Sequence, residues 1–170
     1  MPSRPACHIL AIFLLLMGAA SHAAAQMFVT TGRDTLRSLP GVEVIVDSLP
    51  PELERAGLKT TDVRADVDKR LRAKGIPIFG SQSANPSAAK AYLYVHLNAL
   101  PIPGGSLYAI AIHVQVRQTV RSLVTSSNIV DAVTWDSHTV VGVSAGELAA
   151  VRDEIGEHVD RFVSDWTAVH

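Results

Sequence analysis

Apolar and polar positions alternate from Ala91 to Asn98. Leu93, Val95 and Leu97 share one side, and Tyr92, Tyr94, His96 and Asn98 share the other, which is the period-two signature of a half-buried strand. The same period runs from Leu107 to Val120. There Ile110, Ile112, Val114 and Val116 form one face, and Ala109, Ala111, His113, Gln115 and Arg117 form the other. Val42 to Asp47 predicts an earlier strand with Val42, Val44 and Val46 inward, and Ile76 to Phe79 predicts a short second one. Ile129 to His138 predicts a fifth strand with Ile129, Val133 and Trp135 on one side. Asp131 falls on that apolar side, a conflict that a bulge or a wet strand end would resolve.

Two stretches change to the helical period. Val63, Val67 and Leu71 make a narrow stripe. Thr60 or Thr61 is the expected cap, Gly75 the expected C′ residue, and Pro77 a stop. Asp66–Arg70 and Asp68–Arg72 have the acid-first i,i+4 order that supports a solvated face. Near the C-terminus, Leu148, Val151, Ile155, Val159, Phe162, Trp166 and Val169 step by three and four, after a Ser144-to-Glu147 capping box. Gly156 interrupts this stripe, either for close approach to the sheet or simply tolerated. The element order β-α-β-β-β-β-α predicts an α+β two-layer sandwich. Its sheet is mixed with an antiparallel meander, and its two helices lie on one face.

Ile9 to Ala20 is an unbroken apolar run after a short segment carrying Arg4, and Ala23-Ala24-Ala25 offers an A-x-A site before Gln26. This is the order of a secretory signal peptide, shorter than a spanning helix needs. Residues 1–25 are therefore read as a signal peptide and residues 26–170 as a single exported domain, periplasmic or secreted, with no stable membrane insertion after cleavage. Met27–Thr30 is a weak candidate for a further short strand, and Gly80 to Lys90 is read as a polar loop open to nicking. Cleavage removes Cys7, leaving no cysteine for a disulfide, a thiolate nucleophile or a thiolate zinc site.

The remaining composition narrows the function classes. At 170 residues the chain is one domain, and 48% hydrophobic content is that of a globular fold. A net charge of −1 lacks the basic footprint of a nucleic-acid binder. No HExxH motif is present, and Ser137 and His138, as strand neighbours, point to opposite faces.

The segments LPGVEVIVDSL, LKTTDVRADVDKRLRAKGIPI, LYVHLNAL, LYAIAIHVQVRQTV, AVTWDS and VRDEIGEHVDRFVSDWTAV together resemble a family of small exported bacterial proteins of unknown function, over Leu39 to Val169. The resemblance brings no catalytic residues. At fold level the element order is similar to periplasmic accessory domains such as the N-terminal domain of the Tol translocation protein and the lipopolysaccharide-assembly plug lipoprotein.

The sheet face away from the helices carries Tyr92, Tyr94, Ala109, Ala111, Val130 and Ala132, less polar than a face meeting water alone. Either residues 26–38 fold across it or it is a binding surface. A tight turn at Pro101–Gly105 predicts His96 opposite Ala109 and His113 opposite Tyr92. The two imidazoles then lie about 13 Å apart at about 3.3 Å per residue, too far to share a zinc ion. A short loop at Ser122–Asn128 predicts Val120 opposite Ile129, Val116 opposite Val133, Val114 opposite Trp135 and His113 opposite Asp136. Tyr92, His113 and Asp136 would then form one row, with Tyr94 beside it, as the candidate binding row. No catalytic, cofactor or metal residues are expected. The leading expectation is a non-enzymatic binding or assembly accessory of the bacterial envelope, its partner an envelope protein or a second copy. A small-ligand carrier using the open face comes second and an enzyme third.

Overall fold

The computed structural model describes residues 32–80, 91–103, 107–124 and 128–170. The expected signal peptide and cleavage site, the candidate strand at Met27–Thr30 and nearly all of the expected polar loop after Phe79 fall outside the described residues.

A 3-10 turn, Gly32–Leu36, comes first. It is followed by β1 (Glu43–Val46), α1 (Pro51–Arg55), α2 (Thr60–Ala73), β2 (Ala91–Pro101), β3 (Leu107–Arg121), β4 (Ile129–Ser144) and α3 (Leu148–Thr167). The sheet order is β1-β2-β3-β4. β1 runs parallel to β2, and the other neighbours are antiparallel. The fold is the α+β arrangement expected from the sequence, with a mixed sheet and a meander.

Two elements differ from the sequence reading. Ile76–Phe79 is not a strand. It contributes a single parallel bridge, Val42 to Ile78, closed by the Val42 N–H on the Pro77 carbonyl and the Phe79 N–H on the Val42 carbonyl. The short helix α1 was not anticipated; Pro51 at its first position suits a helix start, and Leu53 is fully buried.

The periodic faces go where they should. Val44, Leu93, Val95, Ile110, Ile112, Val114 and Val116 are buried under α2 and α3, which supply Val63, Val67, Leu71, Val151, Ile155, Val159, Phe162 and Trp166. Helix α2 ends at Gly75 with φ +71°. The Gly75 N–H donates to the Arg72 carbonyl and the Ile76 N–H to the Leu71 carbonyl. This is a Schellman closure with Leu71 and Ile76 both buried.

The caps and charges shift from expectation. Lys59 is the N-cap of α2 and Thr60 its first residue. Glu147 is the N-cap of α3, and its carboxylate accepts from the Ser144 hydroxyl and N–H, so half of the capping box forms, ahead of the helix. Asp66 and Asp68 of α2 do not take the i,i+4 partners Arg70 and Arg72 expected for them. Because α2 packs on α3, Asp66 takes Arg152 at 2.6 Å and Arg70 takes Asp160 at 2.6 Å, while Asp68 turns back to Arg64. Gly156 faces Arg70 rather than the sheet.

Both hairpin registers differ from the expected ones. The β2–β3 ladder pairs His96 with His113 and closes at Pro101 opposite Tyr108. The tight turn would have used Ile102 and Pro103 as central residues. The favoured two-residue turns need φ > 0 at the first central residue, which β-branched Ile102 resists, and type I′ needs it at the second as well, which Pro103 cannot supply. The β3–β4 ladder begins with Arg121 opposite Ile129 and Val120 opposite Val130. It gains one more residue where Val116 pairs with Trp135 but Arg117 pairs with Val133, leaving Thr134 as a bulge. The bulge resolves the Asp131 conflict. Val130 and Ala132 move to the helix side, while Ile129, Asp131 and Val133 move to the open side.

Candidate functional site

The open face of the sheet carries the candidate site, and its geometry follows from those registers. β2 places His96 directly opposite His113 of β3, and β3 places His113 directly opposite His138 of β4. Just past β1, Asp47 donates its N–H to the Val95 carbonyl and lies beside His96. Asp47, His96, His113 and His138 thus stand abreast across the sheet, with Asp136 next to His138 on the same side of β4.

The contacts along this row are short. Asp47 Oδ2 is 2.8 Å from His96 Nδ1, and Asn98 Nδ2 is 2.9 Å from His96 Nε2. A carboxylate accepts and an amide NH2 donates, so His96 carries its proton on Nδ1. The His96 and His113 rings are 6.4 Å apart between centroids, and those of His113 and His138 are 5.4 Å apart and near-stacked at 24°. Asp136 Oδ2 lies 2.6 Å from His138 Nδ1. His113, Asp136 and His138 each offer one metal-ligating atom, and these atoms all lie within 4.8 Å of one another.

The hydrogen bond to His96 holds the Asp47 carboxyl below the usual carboxylate range, against a smaller opposing effect of burial. Partial burial, and then the bond to Asp47, push the Tyr94 phenol up. Arg117 sits 5.4 Å from the Tyr94 ring centre, within cation–π range, and pairs with Asp131. Asp47, Tyr94, His96, His113, Gln115 and Arg117 line a shallow depression of about 350 Å³.

All four residues of the expected binding row lie on this face, but not in one row. Tyr92 is opposite Arg117, Tyr94 and Asp136 are opposite Gln115, and only His113 lies in the histidine row. Asp136 bonds His138 instead of His113. The expected 13 Å separation of His96 and His113 is overturned by their direct pairing. Asp47 and His138 were not placed in this row by the sequence, and His96 was set apart from His113 only by the expected register. A signal existed: the midpoint between His96 and His113 falls between Gly104 and Gly105, where a turn is sterically easy.

Gly32–Leu36 does not cover the open face. It packs on the helix side, where Leu36 is buried, Gln118 Nε2 donates to the Thr35 carbonyl and Arg33 pairs with Asp165 of α3. Residues 26–31 lie outside the described residues.

Other polar groups have structural work. Ser137 and His138 point to opposite faces as expected, and Ser137 Oγ lies 2.7 Å from Nδ1 of the fully buried His158. That pair ties β4 to α3. No helix among the described residues is long and apolar enough to cross a membrane.

No family model matches the chain, and no curated protein is significantly similar to it. Among solved structures, a minor lipoprotein from Acinetobacter baumannii is 11% identical with a TM-score of 0.39, the alignment covering 76% of this chain and 94% of that one. The rare lipoprotein B from Shewanella oneidensis is 12% identical, also with a TM-score of 0.39, covering 75% and 94%. Likeness at this level assigns neither fold nor function, so the α+β assignment rests on this chain's own elements and pairings.

Proposed function

We propose that the chain is an exported, non-catalytic binding domain of the bacterial envelope that engages its partner through the open face of its sheet. The observation that carries this is the one-sided packing. α2 and α3 cover one face, while the other presents Tyr92, Tyr94, His113 and Asp136 at half-buried or exposed positions. Val133 and Val140 on the same face are 49% and 69% exposed. Export is supported by the apolar run Ile9–Ala20 and the Ala23-Ala24-Ala25 site. The partner is an envelope protein or a second copy of the chain. A small-ligand carrier is less well supported, because ligand pockets bury about 70–90% of their ligand and this depression is shallow.

A photo-crosslinking residue at Tyr94 or Val140, in cells exporting the chain, tests the reading. Crosslinks should form at these positions and not at Lys69 on α2, and the recovered protein should begin at or within a few residues of Gln26. Equal crosslinking from both faces, or intact Met1 in a membrane fraction, would overturn it.

A further inference from the structure

We infer that His113, His138 and Asp136 form a binding site for one divalent transition-metal ion of the zinc, copper and nickel class. The donor set is two imidazoles and a carboxylate. Imidazole nitrogen selects these borderline ions over magnesium and calcium, which take all-oxygen sites.

The backbone brings the donors together without any loop. His113 and His138 are a directly opposed pair on β3 and β4, and Asp136 follows on the same side of β4. Their ligand atoms already lie within 4.8 Å of one another. A tetrahedral ion with bonds of about 2.0–2.1 Å holds its ligand atoms about 3.3 Å apart. Rotation about the side-chain bonds covers that difference, since His138 is 62% and Asp136 31% exposed and neither is locked by packing. The ion takes the place of the proton shared between His138 Nδ1 and Asp136 Oδ2. That proton moves to Nε2, so the imidazole binds in its neutral form.

The neighbouring pair is differently committed. His96 has Nδ1 on Asp47 and Nε2 on Asn98, so both nitrogens are engaged and it flanks the ion without ligating it. Three protein ligands leave a coordination position for water, as open zinc sites do. The site lies on the face proposed for the partner but does not depend on one. Metal binding and partner crosslinking can each fail without the other.

The experiment is calorimetric titration of the untagged protein with Zn²⁺ at pH 7.5, with Mg²⁺ as the hard-cation comparison and Co²⁺ absorption as a report on coordination. One Zn²⁺ per chain is expected, with much weaker binding of Mg²⁺. His113→Ala, His138→Ala and Asp136→Asn should each weaken Zn²⁺ binding by more than about 100-fold, beyond the 10–100-fold typical of groups that only orient a ligand. His170→Ala, outside the site, should leave it unchanged. Fluorescence of Trp135 and Trp166 checks that each variant is folded, and His138→Gln replaces any alanine variant that is not. Absence of Zn²⁺ binding at 100 μM (about 5.5 kcal/mol of affinity) would overturn the assignment. So would undiminished binding in the folded His113→Ala/His138→Ala protein, or equal affinity for Mg²⁺.

Discussion

The guanidinium of Arg70 on α2 lies across Gly156 on α3, in the space a side chain at position 156 would occupy, and from there its Nη1 donates to Asp160 at 2.6 Å. The glycine is therefore the floor of an interhelical ion pair. In an ordinary helix interior, Gly→Ala gains about 1 kcal/mol. Here a methyl group would push Arg70 off Asp160, and an exposed pair of this kind is worth about 0–1 kcal/mol. Gly156→Ala is expected to be near neutral in the native sequence and to stabilise by about 1 kcal/mol in the Arg70→Ala background. Urea unfolding of the four proteins of that cycle measures the coupling, and strict additivity would mean the two residues do not share this space.

Phe162 is fully buried, with its ring edge-on to Trp135 at 5.5 Å and tilted against Trp166 at 5.8 Å. Phe162→Ala should lose about 3–5 kcal/mol, as buried aromatic truncations do. A denaturation shift worth less than about 1 kcal/mol would contradict the docking of α3 on the sheet.

Thr134, the bulge residue, accepts a 2.7 Å bond from Gln118 Nε2 and lends its carbonyl to the Thr35 hydroxyl. Gln118 is nearly buried. Thr134→Val keeps the shape and removes the hydroxyl, so the Gln118 amide loses its shorter partner. A loss of about 1–3 kcal/mol is expected, read from thermal unfolding. An unchanged midpoint would show that the hydroxyl does not fix the bulge.

His158 is fully buried between β4 and α3, and desolvation, followed by Arg161, holds its imidazole below the ordinary histidine value. Glu154 and Glu157 oppose the shift without reversing it, and His138 adds slightly to it. The unfolded chain takes up this proton near pH 6.5, while the folded chain does so only at lower pH. This contribution to stability is therefore complete above about pH 6.5 and is lost as the pH falls from there through the folded value. Unfolding midpoints between pH 7.5 and 5 should fall more steeply for the native protein than for His158→Gln. Parallel curves would place the pH dependence elsewhere.

What was legible in the sequence was periodicity. The inward faces of β2 and β3, the Val63–Val67–Leu71 stripe and the long stripe of α3 were all readable, because burial alone dictates which side of an element is apolar. Register was not readable by the same means. A shift by two residues preserves every face, so hydrophobicity is blind to whether His96 meets Ala109 or His113. Turn sterics at Ile102-Pro103 bear on that register, and the bulge at Thr134 shifts the β3–β4 one. The candidate site is itself a register feature, a row across strands, so its members could be assigned to the open face while the row itself stayed hidden. The ion pairs of α2 were misjudged for a similar reason. Local spacing offered Asp66 to Arg70, and tertiary packing offered it Arg152.

β2, β3 and β4 follow one another along the chain and pair in that same order, so they can zip together outward from two turns. β1 is different: its parallel partner is reached only after the stretch from Val46 to Ala91, α1 and α2 included, has been looped round. The entropy of closing that long loop must be met before the pairing returns anything, and contacts so distant in sequence form slowly. The kinetic consequence is an early meander and a late strand. Amides of β1 should exchange with solvent through partial openings that leave the β2–β4 hydrogen bonds intact, which makes the parallel seam the last to close and the first to open.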